Sequence, residues 1–303
     1  MKTARRRLVQ QGESTLMVSL PAPWIKLNNL EKGSEVSIDP LNSDLLISAK
    51  KQDYKSETSI KILGHTESAI RTIVTNTYRV GYDRIRVEYG DKKQLEVVET
   101  VVKNMLIGFE IVSRGQGCCI IENITEPSEE QFDNILSKIF YNIEELFTVT
   151  KERLEQKVPE ENYESLQERL QKYDNYCKRI ISKQKFSNNK SEFLWAFLAI
   201  LLHAHRELHH LNKFLPKDYK ASVEIRELFN INHEIFELIK KAYFEKNVSY
   251  LAKVHELEKS TIYDKGYKLL QIKKGPDSVV IYHLLLSMRE FYQSNSPLHG
   301  IIL

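Results

Sequence analysis

Hydrophobic and polar residues alternate over short stretches in residues 1–55. Leu16, Val18 and Leu20 stand at every second position, and Val36 and Ile38 repeat that spacing. A period of two predicts β-strands, and the proline, glycine and asparagine residues between these stretches predict turns and one brief helix. A few short strands bury little apolar surface. We therefore expect this region to need a second chain or a docked partner.

Residues 56–126 alternate between strand-like and helix-like spacing and predict a small α/β region of order β-α-β-α-β-β. Its first helix carries Ile70, Val74 and Tyr78 at helical spacing, and its third strand follows a second amphipathic helix. The expected elements are strands at 59–63, 85–87, 109–112 and 119–124, a first helix that carries the apolar positions from 70 to 78, and a second helix at 95–107.

The remainder, residues 127–303, is predicted to be helical throughout. Phe132, Leu136, Ile139, Ile143, Leu146 and Thr150 recur at steps of three and four residues. Five further segments pass the same test: 166–181, 193–211, 231–243, 251–269 and 279–291. Because Pro216 lies near the middle, the pattern favours two three-helix units, 127–215 and 216–303. The predicted fold class is therefore multidomain α+β, with domains at 1–55, 56–126 and 127–303.

Charge is distributed unevenly along the chain. The 303 residues carry 44 Lys and Arg against 41 Asp and Glu, a formal net charge of +3. Lys2, Arg5, Arg6 and Arg7 stand among the first ten residues without an acid. A polyanion such as duplex DNA would therefore be met at the N-terminus, where these four residues are the candidate DNA-binding residues. A solvated basic tail is the alternative.

Several classes of protein are disfavoured. The three cysteines, Cys118, Cys119 and Cys177, suit neither a disulfide framework nor a zinc knuckle, which favours a reducing, cytoplasmic location. The longest apolar run, residues 193–202, is too short for a membrane span of about 20 residues, so we expect a buried core helix and no membrane insertion. Phosphate-binding loops and nucleophile motifs are missing, so neither an enzymatic activity nor a cofactor is predicted.

A histidine-rich segment is a candidate for metal binding from its spacing. His205 and His209 lie four residues apart on a predicted helix, with His203, His210 and Glu207 nearby. A zinc or nickel site is geometrically possible there. The alternative is a polar end to the apolar run, with the histidines in solvent or bonded between helices. Two ligands hold a metal ion weakly, so no metal site is assigned.

Three motifs resemble known families. The stretch from Leu8 to Val36, with "LPAPW" at residues 20–24 and Lys32-Gly33, resembles the swapped-hairpin DNA-binding domain of the AbrB/SpoVT family. Joined to the α/β and helical regions, the chain resembles archaeal PhoU-family phosphate-uptake regulators that carry such a domain. "TYRVGYDRIRV" at 77–87 and "KNMLIGFEIV" at 103–112 resemble the middle region of that family.

The resemblance implies a homodimer whose N-terminal strands interleave into one DNA-reading surface, with a PhoU-like pair of three-helix bundles behind it. It also implies acidic metal-binding motifs on the helices, from which this chain departs. Asp174 is followed four residues later by Lys178, and Asp264 is preceded by Ser260 at that distance. A lysine at a ligand position repels divalent cations, which puts metal clusters of that kind in doubt.

The function expected from these observations is transcriptional regulation of phosphate uptake, with the helical region as a sensor or a docking module. The partners would be duplex DNA, a second copy of the chain, and phosphate-transport or signalling proteins. The alternative is an adaptor that regulates a phosphate transporter through protein contacts and uses its N-terminal strands only to dimerise.

Overall fold

The computed structural model describes residues 5–41, 44–49, 56–125, 129–157, 162–183 and 190–303. The chain divides into two compact units, residues 1–54 and residues 55–303. The second unit combines the α/β region and the helical region, which the sequence pattern separates at residue 126. Of the turn that Pro40 to Ser43 predict, the first two residues belong to a strand and residues 42–43 lie outside the described residues, as does the expected DNA-binding residue Lys2.

The N-terminal unit consists of two antiparallel strand pairs and a short helix. Its elements are β1 (Val9–Gln11), β2 (Thr15–Met17), α1 (Ala22–Leu27), β3 (Val36–Leu41) and β4 (Asp44–Ala49). Strand β1 pairs with β2, and β3 pairs with β4. Two prolines favour the start of α1 at this point, because Pro21 precedes its first residue and the next proline lies in its first turn. The predicted short strands with one brief helix are thereby confirmed.

The α/β region has the predicted element order. Its elements are β5 (Glu57–Lys61), α2 (Glu67–Val80), β6 (Arg84–Glu88), α3 (Lys92–Met105), β7 (Phe109–Gly115) and β8 (Cys118–Asn123). The strands form one sheet in the order β5-β6-β8-β7, in which only the β5–β6 pair is parallel. The side chains of Thr66 and Asp91 cap the N-termini of α2 and α3.

The core of this region comes from alternate strand positions and one face of each helix. Ile85 and Val87 of β6 and Ile121 of β8 are fully buried beneath Tyr78 and Val98 of the two helices. The same alternation separates the adjacent cysteines of β8: Cys119 is buried in the core and Cys118 is half-buried. Burial raises the pKa of the Cys119 thiol to about 11, as expected for an unreactive core residue.

The helical region begins with three long helices and continues with a second, more broken set. The helices are α4 (Glu129–Leu154), α5 (Tyr163–Lys183), α6 (Ser191–Phe214), α7 (Val223–Glu245), α8 (Ser249–Lys259), α9 (Tyr267–Ile272), α10 (Pro276–Gln293) and α11 (Asn295–Ile302). All six residues of the predicted apolar face of α4 are buried. Helices α6 and α10 pack against each other at the centre.

The apolar run at residues 193–202 is predicted to be a buried core helix, but the structure buries only part of it. It forms the start of α6, where Leu194, Phe197 and Leu201 enter the core while 43% of Phe193 and 36% of Trp195 stay exposed. The helical period explains the difference, since consecutive apolar residues cannot all face the core. None of the described helices is both long enough and apolar enough to cross a bilayer.

The helix predicted at 251–269 is interrupted by a π-helical segment, Ser260–Gly266, between α8 and α9. The segment ends where the chain passes very close to α10. A Cβ atom on Gly266 would lie 2.5 Å from Cδ2 of Leu285, so a larger residue there would require the Leu285 side chain to move. Such wide turns rotate the faces of a helix, and a period of 3.6 residues does not predict them.

Helix α5 connects the α/β region to the other helices, and Arg179 is at the centre of the contact. Its side chain is 1% exposed, and its guanidinium donates to the carbonyl oxygens of Tyr78 (3.0 Å) and Tyr82 (2.8 Å). A third hydrogen bond, 2.7 Å long, reaches a carboxylate oxygen of Asp83. The guanidinium also lies 4.6 Å from the ring centre of Phe109. One side chain thus satisfies carbonyl groups at the C-terminal end of α2.

A second polar cluster repeats this arrangement one turn earlier on α5. The amide of Asn175 donates to the carbonyl oxygen of Met105, the last residue of α3, and accepts from Arg79 of α2 at 2.9 Å. Asp174, beside it, accepts from Arg79 (3.1 Å) and from Lys178. The ends of both α/β helices are therefore held by side chains of α5, so residues 55–303 form one unit.

Arg179→Ala should destabilise the chain by about 3–5 kcal/mol, because it removes three buried hydrogen bonds and one of the cations that pair with Asp83. Urea unfolding followed by circular dichroism measures this change. Arg114→Ala is the matched control, since Arg114 pairs with Glu99 on an exposed surface and its loss should cost less than about 1 kcal/mol. Equal effects of the two substitutions would contradict the central role of Arg179.

Candidate nucleic-acid interface

Arg5, Arg6 and Arg7 are exposed and lead directly into β1. Within the part of the chain that the structure describes, none of the three forms an ion pair with an acidic side chain. The one hydrogen bond among them runs from Arg6 to the carbonyl oxygen of Arg5, at 3.4 Å. Their guanidinium groups therefore remain available to phosphate oxygens or to guanine edges.

The hairpin that follows the arginines has a tight tip. Strands β1 and β2 pair from Val9 opposite Met17 to Gln11 opposite Thr15. Gly12 turns the chain with a φ of 74°, a conformation that favours glycine. Gln10 donates to the carbonyl oxygen of Glu13 across the tip, at 3.5 Å. A two-stranded ribbon of this kind has dimensions that fit the major groove of DNA.

The same unit presents apolar side chains to solvent. Leu8, Leu16, Leu27, Ile38 and Leu45 are each more than half exposed. No residue of 5–49 whose burial is described is buried in the single chain. An exposed apolar surface of this kind marks an interaction site.

One comparison with known proteins bears on this unit. The family model described as "Antidote-toxin recognition MazE, bacterial antitoxin" matches residues 9–55. The match covers both strand pairs, begins two residues after Arg7, and supports an N-terminal DNA-binding domain of the swapped-hairpin, MazE/AbrB-like kind. No curated protein and no solved structure matches the chain.

The acidic positions suggested by family resemblance have other partners in the structure. Asp174 is almost fully buried, and Lys178 and Arg79 hold its carboxylate. Burial is the main cause that lowers the pKa of Lys178, although the charge of Asp174 opposes this shift. Ser260 lies in the π-helical segment and donates to the carbonyl oxygen of Glu256. Asp174 therefore forms buried ion pairs, and Ser260 bonds within its own helical segment.

The histidines of α6 face different neighbours. His205 is completely buried, and its Nδ1 lies 3.0 Å from the side-chain oxygen of Gln167 on α5. The ring of His209 packs on Tyr163, and the ring of His210 packs near His283 of α10. Among the described residues, this segment does not gather three metal-ligand atoms.

A cleft of about 350 Å³ lies beside the π-helical segment. Arg289 crosses it, with hydrogen bonds to the buried carboxylate of Glu258 and to the hydroxyl of Tyr263. Lys259 and Asp264 complete its charged lining. Two cations face two carboxylates there, so the charge of the cleft favours neither an anion nor a cation.

The fold brings together one group of three potential metal ligands that no sequence motif connects. His233 and Glu237 lie four residues apart on α7, a spacing that places them on one face. Glu144 belongs to α4, and only the packing of α4 on α7 brings the three side chains together. The pair on α7 was detectable from spacing, whereas its partner was not.

Burial of His205 makes stability depend on pH. Burial lowers the pKa of this imidazole in the folded chain to about 3, against about 6.5 when it is unfolded. Below pH 6.5 the unfolded chain therefore binds a proton that the folded chain does not. The stability linked to His205 is lost as pH falls from 6.5 towards 3, by about 2 kcal/mol at pH 5.

His205→Asn should remove that loss, since an amide can bond to Gln167 without titrating in this range. Chemical unfolding at pH 7.5 and pH 5.0 gives the pH-dependent loss for each protein, and the loss should be about 2 kcal/mol smaller in the variant. The exposed His203 supplies the control substitution, His203→Asn, which should behave as the parent chain. An unchanged loss in His205→Asn would refute the assignment.

Proposed function

We propose that this chain is a cytoplasmic, homodimeric and non-enzymatic DNA-binding regulator of phosphate uptake, whose helical unit receives a signal or docks a partner. The single observation that carries the DNA-binding part is the position of three exposed, unpaired arginines directly before a matched MazE-like hairpin domain. Phosphate contacts from these arginines would supply affinity.

Dimer formation follows from the apolar surface of the N-terminal unit. A unit in which none of the residues with described burial is buried gains little to offset the conformational entropy lost on folding. A second copy offers the same apolar side chains in return, and twofold symmetry would double the three arginines to six. Sedimentation velocity of the full chain should therefore give the mass of two chains, and a monomer at micromolar concentration would contradict the proposal.

Replacement of Arg5, Arg6 and Arg7 by alanine should abolish most DNA affinity. If all six arginines of a dimer contact phosphates, they contribute about 5 to the slope of log affinity against log salt. The triple variant should then bind promoter DNA at least about 100-fold more weakly near 0.1 M salt, with a flatter salt dependence. Fluorescence anisotropy over a salt series measures both quantities.

The control variant carries the same change of charge elsewhere. Lys92, Lys93 and Lys103 are exposed on α3, and their replacement by alanine should leave DNA affinity nearly unchanged. Equal losses in the two triple variants would mean that net charge alone governs binding. Undiminished binding by the arginine variant would overturn the assignment of these residues.

The link to phosphate uptake rests on the resemblance of the helical and α/β regions to PhoU-family regulators. An adaptor that contacts a phosphate transporter without binding DNA is the competing function. In both functions the helical unit receives a signal or binds a partner. They differ in whether the N-terminal unit binds DNA.

Genome-wide mapping of bound DNA in phosphate-rich and phosphate-poor cells should find the protein at phosphate-transport promoters, with occupancy that changes between the two conditions. The arginine variant provides the background for this experiment. Transporter subunits that co-purify with the protein in the absence of promoter occupancy would favour the adaptor. Occupancy at unrelated promoters, unchanged by phosphate, would reject the phosphate link and leave DNA binding intact.

A further inference from the structure

Glu144, His233 and Glu237 meet in a groove between α4 and α7. Oε1 of Glu144 lies 2.7 Å from Nε2 of His233, and one ligand atom from each of the three residues lies within 4.8 Å of the others. About one third of each side chain is exposed, so solutes can reach the group. Helix α4 starts the first set of helices and α7 starts the second, so the group bridges the two.

Aromatic packing holds the imidazole in place. The ring of His233 stacks on Phe147 at a centroid distance of 4.7 Å. It also stacks, at a greater distance, on the ring of Phe236. Both phenylalanines are buried in the core. A ligand whose ring orientation is fixed by its surroundings loses little entropy when it binds an ion.

A cation already occupies this groove. Nζ of Lys240 lies 3.1 Å from Oε2 of Glu144 and also bonds to a carboxylate oxygen of Glu237. The hydrogen bond from His233 lowers the pKa of Glu144 to about 2, whereas burial, followed by the neighbouring Glu144, raises the pKa of Glu237. Two carboxylates this close need positive charge between them.

We propose that Glu144, His233 and Glu237 bind a first-row divalent transition-metal ion, which displaces the ammonium group of Lys240. One imidazole nitrogen and two carboxylate oxygens are a ligand set that such ions accept, and their two negative charges balance the ion. Metal–ligand bonds of about 2.0–2.2 Å place tetrahedral ligand atoms about 3.4 Å apart, a small rearrangement from the observed positions. Lysine has a flexible stem that can turn its ammonium into solvent.

The structure thus assigns Lys240 a second role as an internal competitor. It neutralises the carboxylates when no metal is bound, and it lowers the affinity for metal because it must be displaced. This position differs from the acidic motifs around Asp174 and Asp264, whose groups lie on other helices. The proposal does not depend on DNA binding.

Isothermal titration of the full-length chain with Zn²⁺ tests the site, with Mg²⁺ as the comparison ion. We expect one Zn²⁺ per chain with much weaker Mg²⁺ binding, because imidazole favours zinc. His233→Gln should weaken Zn²⁺ binding at least about 10-fold, in line with losses seen even for supporting residues of metal sites. Lys240→Gln should instead tighten it several-fold, which a purely structural ion pair does not predict.

Two matched controls separate this site from accidental binding. Lys241→Gln makes the same change at an exposed neighbouring position, and His203→Gln removes an exposed histidine of α6. Neither should alter Zn²⁺ affinity. Unchanged affinity in His233→Gln, or unchanged or weaker affinity in Lys240→Gln, overturns the proposal. A loss of binding in His203→Gln places the ion at the histidine-rich segment and also overturns it.

Thermal unfolding supplies a second readout. Zn²⁺ bound between α4 and α7 should raise the melting temperature of the parent chain and of Lys240→Gln, since an ion that binds only the folded state stabilises it. If His233→Gln does not fold, Glu237→Gln takes its place. A stabilisation that survives in this variant counts against the site.

Discussion

The buried guanidinium of Arg179 is the interaction on which the rest of the larger unit depends. An arginine is costly to remove from water, and that cost is recovered only when its donors find acceptors. Here the acceptors are two backbone carbonyl oxygens at the end of α2 and the carboxylate of Asp83. They belong to the α/β region while Arg179 belongs to α5, so the donors of Arg179 find these acceptors only where the two parts pack together. The chain therefore has two units where its sequence pattern shows three regions.

The two units are stabilised in different ways. Residues 55–303 bury their apolar faces within one chain and use polar side chains to join helices to the sheet. The N-terminal unit buries no described side chain and keeps its basic residues exposed. The first arrangement suits a rigid scaffold. The second suits a surface that becomes complete only with another molecule.

Features that repeat along the sequence were predictable, and features that join distant residues were not. Alternation and helical spacing predicted the order of elements along the α/β region, and the helical period predicted the buried face of α4. The π-helical segment was missed because a period of 3.6 residues describes an α-helix and does not predict wider turns. Arg179 was missed for a related reason, since a charged residue on a helix ordinarily faces solvent. The candidate DNA-binding arginines could be found because they are consecutive, whereas Glu144 and His233 are 89 residues apart.

The absence of a buried side chain in the described N-terminal strands has a consequence for how such a protein responds to its own abundance. If the unit pairs with a second copy as proposed, it gains stability with every increase in chain concentration, since pairing follows mass action. At low copy number its apolar side chains would stay exposed and the unit would be more open to proteases, and at high copy number they would be covered. The basic hairpin would then report how many chains the cell has made, before any signal reaches the helices.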